Sequence, residues 1–117
     1  MAETERIKPI ILRDNENGTE YTLEFNRESI VFAEAHGFDI NDVSRFPMTK
    51  VPELFYYAFR MHHKNVSKEK TDRILFEDLG GIEGMPEGMG ARLGELYAVP
   101  FKSMTGEGKN GKVTVEF

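Results

Sequence analysis

Residues 49–62, TKVPELFYYAFRMH, contain the pattern that decides the fold. Val51, Leu54, Phe55, Ala58, Phe59 and His62 recur at three- and four-residue spacing, which stacks side chains on one face of an α-helix. Thr49 precedes the segment, and Pro52 is expected in its first turn, where backbone N–H groups have no intrahelical partner and proline is tolerated. The pattern predicts a core helix with His62 on the apolar stripe. His63 should then point about 100° away, toward the opposite, solvated side.

Toward the amino terminus, Ile7 to Leu12 is rich in β-branched residues, and Tyr21, Leu23 and Phe25 alternate with Thr22 and Glu24. Alternation of this kind marks half-buried strands. Asn17-Gly18 lies between the two runs and tolerates the positive φ of a tight turn, so residues 6–25 read as a β-hairpin with Pro9 near its edge. Asn26 can cap a helix over 27–36 that Gly37 terminates, and FDINDVSRF reads as a short helical turn capped by Asp39.

Toward the carboxyl terminus, Ser67 caps a helix from Lys68 to Leu79 that Gly80-Gly81 stops. Helical spacing resumes through Met89, Leu93, Leu96 and Tyr97, starting near Pro86 and weakening at Pro100. TGEGKNGK then reads as a polar spacer before VTVEF, which alternates like a strand. The expected fold is α+β and mainly α: an N-terminal β-hairpin, a compact bundle of about four helices, and a flexible C-terminal tail with a short strand. One globular domain over 1–100 is expected, with the hairpin at 6–25, the helical part at 26–100, and the tail at 101–117.

A chain of 117 residues that is 39% hydrophobic suits one domain burying about 65% of its unfolded surface. Cysteine is absent, which removes disulfides and thiolate metal sites and suits a reducing compartment. MAETERIKPII places charges where a secretory signal needs an apolar run, so a cytoplasmic protein without membrane partners is expected. The net charge of −5 is unevenly spread. Residues 1–44 hold 4 basic and 10 acidic side chains, 45–73 hold 7 and 3, and 74–117 hold 4 and 7.

Chemistry-bearing patterns fail on inspection. His62 and His63 are adjacent and lack the i, i+4 spacing that brings two imidazoles to one metal. Asp39-Ile-Asn-Asp42 begins like a calcium loop, but Val43 stands where an oxygen ligand is required. GGIEGMPEGMG carries two glutamates and no lysine, which opposes phosphate binding; it reads as a helix stop and a mobile connection, and Gly90 and Gly94 as either a small-residue face that lets another backbone approach or a tolerated exposed face. No serine lies in a strained glycine-flanked elbow. No enzyme and no cofactor are expected.

The candidate interaction residues are Arg60, His63, Lys64, Lys68, Lys70 and Arg73, gathered around a helix junction, with Tyr57 and Tyr56 just before it. Such a patch reads either as a plain solvated face or as a contact for an acidic protein surface. The alternative is a small regulatory nucleic-acid-binding protein using segment 60–73, with cations on phosphates and tyrosines stacked on bases. An acidic amino-terminal third beside a basic middle also suits head-to-tail homo-oligomers.

The ordered blocks Glu24-Phe-Asn-Arg-Glu-Ser-Ile30, Ala33-Glu34, Gly37-Phe38 and Leu54-Phe-Tyr-Tyr-Ala-Phe-Arg-Met-His-His-Lys64 resemble the tail assembly chaperones of Gram-positive siphophages. Thr71-Asp-Arg-Ile-Leu75, Asp78-Leu-Gly-Gly81 and Arg92-Leu-Gly-Glu-Leu-Tyr97 continue the likeness in order, over about residues 20–97. The resemblance implies a mainly helical chaperone of the bacterial cytoplasm that binds the tape measure protein and shields its apolar segments. It further implies recruitment of tail tube protein and absence from the mature virion. It implies no catalytic residues.

Overall fold

The computed structural model of the chain describes residues 7–104 and 116–117. It shows an N-terminal antiparallel hairpin followed by four helices, the α+β, mainly helical architecture expected. Strands β1 (Ile10–Arg13) and β2 (Glu20–Leu23) pair with Ile10 opposite Leu23 and Arg13 opposite Glu20. Their connection is six residues, not a tight turn at Asn17-Gly18 alone. Asp14 N–H donates to Thr19 O at 2.7 Å and Gly18 N–H to Asp14 O at 2.7 Å, while Gly18 supplies the positive φ.

Helix α1 (Arg27–Ala35) begins at a reciprocal cap: Asn26 Oδ1 accepts from Ser29 N–H at 2.8 Å, and Ser29 Oγ accepts from Asn26 N–H at 2.9 Å. Gly37, at φ +89°, ends it as expected. A single 3₁₀ turn over Ile40–Asp42 follows, with Asp39 capping Asn41 N–H.

Helix α2 (Pro47–Phe59) starts and stops earlier than its periodicity predicts. Pro47 opens it, so Pro52 lies in the second turn, one turn deeper than expected. Its buried residues Pro52, Leu54, Phe55, Tyr57, Ala58 and Phe59 span far more than one stripe. The cause is position: α1, α4 and the hairpin all pack on this helix, so little of its circumference meets water. Phe55 and Phe59 are fully buried with ring centroids 5.2 Å apart in an edge arrangement.

The helix expected over 68–79 divides in two. Helix α3 (Lys68–Arg73), capped by Ser67, passes into a π-helical turn over Ile74–Asp78. Leu79 N–H reaches back five residues to Ile74 O at 2.9 Å, and fully buried Leu75 sits within this wider turn. Gly80 and Gly81, both at positive φ, then reverse the chain. Helix α4 (Met89–Met104) buries Met89, Leu93, Leu96 and Tyr97 along one face, as their spacing predicts. It runs through Pro100, so residues 101–104, expected in the tail, belong to the helix. The spacer and most of the VTVEF segment fall at 105–115, outside the described residues. Among the described residues no helix is long and apolar enough to cross a membrane.

The glycine-rich connection has one position where bulk is forbidden. A Cβ on Gly84 would lie 2.0 Å from Leu79 O, and that obstacle is backbone. A Cβ added to Gly90 or Gly94 would meet nothing within 4 Å, so no backbone in the described residues uses the close approach their spacing allows. Gly84→Ala is expected to lower the unfolding free energy by about 1–3 kcal/mol. Gly94→Ala, inside α4, should raise it by about 0.5–1 kcal/mol. Urea unfolding of both variants measures the contrast, and equal midpoints for Gly84→Ala and wild type would refute the close contact.

Candidate functional site

The basic junction forms where α2 ends. Arg60 N–H turns back to Tyr57 O at 3.1 Å, the helix gives way, and residues 60–67 cross from α2 to α3. This early stop reverses the expected roles of the two histidines. His62, assigned to the apolar stripe, is exposed and donates from Nε2 to Glu24 Oε1 at 2.8 Å. His63, assigned to the solvated side and to partner contact, turns inward. Its Nε2 accepts the Thr22 N–H at 2.9 Å, and its ring lies edge-on to Tyr21 with centroids 5.4 Å apart.

Tyr57 is likewise removed from the surface. It is 7% exposed, packed against Phe38 and Phe32, and burial raises its hydroxyl pKa, with Glu53 and then Tyr56 adding to the effect. The uninterrupted run LFYYAF was the available signal, because a helix apolar on more than one side is covered on more than one side.

The remaining cations part company. Lys68 pairs with Asp72 one turn away at 3.0 Å, within its own helix. Lys70 lines a cleft of about 390 Å³ with Arg13 at the end of β1, Asp14 and Glu16 of the hairpin loop and Asp78 of the π-turn. Arg73 is exposed on α3. Arg60 lays its guanidinium 3.8 Å above the Phe32 ring, and with Lys64 it borders a second depression of about 370 Å³ against α1. Among the described residues Arg27, Arg60 and Lys64 make no ion pair, whereas Arg13, Arg45, Lys50, Lys68 and Arg92 all do. The predicted patch is therefore two separate surfaces, one facing α1 and one facing the hairpin loop.

A third depression, of about 220 Å³, lies on the other flank of α1 and meets the second at Val31. Ile30, Val31, Pro100 and Phe101 make its walls, with Arg27 and Glu34 at the rim. Val31 is 53% exposed, and Val99 and Phe101 are exposed on the last turns of α4. Sequence reasoning missed this strip. Its signal was present in α1, where Val31 falls off the face that buries Ser29, Ile30 and Ala33.

A family model described as Domain of unknown function (DUF5055) matches residues 1–117. The chain belongs to this family. Neither the curated proteins nor the solved structures gave a match. The family description carries no activity, so the chemistry of the surface has to speak for itself. Among the described residues no three His, Asp or Glu side chains converge on a common metal position. Tyr97, pushed up to about 12 by burial and then by Glu34 and Asp39, stays protonated throughout the physiological range.

The His63 contact makes hairpin docking pH-dependent. Burial first, then the neighbouring His62, holds the His63 pKa below its ordinary 6.5. As pH falls, the unfolded chain takes up this proton before the folded chain does. The stability contributed by the Thr22–His63 bond is thus present above about pH 6.5 and lost as pH falls from there through the lower folded value. His63→Gln keeps an acceptor that does not titrate. The stability difference between wild type and His63→Gln should therefore shift against wild type from pH 7.5 to pH 5.5; a difference independent of pH contradicts the bond.

Proposed function

We propose that this chain is a tail assembly chaperone of a long-tailed bacteriophage of Gram-positive hosts, binding the tape measure protein and assisting tail tube assembly. In this reading it works in the host cytoplasm and is absent from the mature virion. Support comes from the resemblance of the ordered sequence blocks to that family and from one structural observation. That observation is the exposed apolar surface of Val31 on α1 and Phe101 on α4, which wall one depression between the two helices.

The strip suits a chaperone because a partner rich in apolar helix needs a complementary apolar surface in water, and helix-in-groove docking provides it. The blocks that carry the resemblance also do structural work. Glu24 to Ile30 builds the α1 cap, and Leu54 to Lys64 builds the central helix and the junction. The alternative, a nucleic-acid binder on segment 60–73, needs accessible rings beside free cations. It is weakened because Tyr57 is buried, His63 is bonded to the hairpin and Lys68 is paired.

The reading predicts a neighbouring gene for a very long helical tail protein, and co-expression should move that protein from the pellet to the soluble fraction and yield a complex that co-purifies. Failure of both, together with a low-salt gel shift on DNA or RNA, would replace the chaperone reading with the nucleic-acid one.

A further inference from the structure

We propose that the two depressions flanking α1 form one docking surface for an amphipathic helix with acidic residues on its polar flank, laid across the Val31 ridge from the Lys64 side to Phe101. The surface takes its partner's identity from the chaperone reading, while its own chemistry is independent of that reading.

Three observations converge on α1. First, the depressions share Val31 and are otherwise lined by different residues, so Val31 is the crest between two hollows. A helix packs by setting ridges into grooves, and a half-exposed β-branched residue between two hollows is the shape its side chains fit. Second, each hollow offers apolar side chains beside its polar ones, Phe32 and Met61 toward α2 and Ile30 and Phe101 toward α4.

Third, charge is graded along the surface. The hollow toward α2 has Arg60 and Lys64 against Glu28 alone, an excess of one positive charge, whereas Arg27 and Glu34 balance each other in the other hollow. Arg60 and Lys64 are without ion-pair partners among the described residues, and Arg60 is held in place by the Phe32 ring. An incoming carboxylate therefore finds two cations that need not first give up a partner. This gradient selects an acidic helix over a basic one and favours one direction of binding.

The test uses the full chain and two synthetic 21-residue helical peptides with the same leucine-and-alanine apolar face, one with glutamates and one with lysines on the polar flank. Backbone amide shifts should change at Val31, Phe32, Met61 and Lys64, and the glutamate peptide should bind about tenfold or more tightly than the lysine peptide. Val31→Asp, at an exposed position, should abolish the shifts while circular dichroism stays unchanged. Arg60→Glu combined with Lys64→Glu should invert the peptide preference.

Equal binding of both peptides, shifts confined to another surface, or indifference to Val31→Asp overturns the proposal. So does sedimentation showing a wild-type dimer that Val31→Asp dissolves, since the occupant is then a second copy. The arms separate the two readings. A soluble tape measure complex that survives Val31→Asp and the double charge reversal leaves the chaperone function standing and removes this surface. Peptide binding as described without any tape measure complex does the reverse.

Discussion

A two-stranded hairpin is marginal in water by itself, so β1 and β2 exist here because the end of α2 holds them. The outer edge of β2 would otherwise present open N–H groups. Glu24 N–H instead donates to Ala58 O at 3.0 Å, and Thr22 N–H donates to His63 Nε2 at 2.9 Å. Tyr21, on the alternate face of the strand, sets its ring edge-on to Phe59 at 5.5 Å. On the other side, Arg92 of α4 donates to Lys8 O at 3.0 Å, just before β1. Both flanks of the hairpin are thereby tied to helices, and the open edge of β2, which would invite pairing with another sheet, is the one α2 and the junction cover.

The same dependence explains why α2 is so aromatic. Phe59 meets Tyr21 of the hairpin and Phe55 packs on Phe59, while Tyr57 meets Phe38, Phe38 meets Tyr97, and Tyr97 meets Phe25 at 5.0 Å in an edge arrangement. Offset and edge-on rings fill irregular space between a sheet and crossing helices with few rotatable bonds to freeze. Truncating a fully buried ring of this kind typically costs about 3–5 kcal/mol, a large share of the stability of a domain this size. The remainder of the architecture has little latitude: α1, α4 and the π-turn bearing Leu75 close around a helix that is already surrounded.

Elements governed by local chemistry were legible in the sequence. The Asn26 cap, the Asp39 cap, the Gly37 stop, the Gly80-Gly81 reversal and the buried face of α4 all follow from side chains acting within a few residues of themselves. What was not legible depends on tertiary contacts. The periodicity of 51–62 does not reveal that α2 ends at Phe59, because the next residues leave the helix to reach the hairpin, and His63 finds its partner 41 residues earlier. Nor does a helical run from 68 to 79 announce that one extra residue will be accommodated as a π-turn. Pro100 signalled an ending, yet α4 continues through it.

The candidate site shows the same division more sharply. A count of charges along 45–73 treats each cation as available, but availability is set by which carboxylate lies within reach after folding. Asp72 claims Lys68 from a position one turn along, and the hairpin loop brings carboxylates around Lys70 from more than 50 residues away in sequence. Among the described residues Arg60 makes no ion pair, although Glu28 of α1 lines the same hollow, and stacks on the ring of Phe32. A guanidinium resting on Phe32 is fixed in direction without being neutralised, and it sits where Val31 leaves apolar surface uncovered. Fixed positive charge next to exposed apolar surface is the combination a polar sequence average conceals, and it arises here from the crossing of α1 over the end of α2.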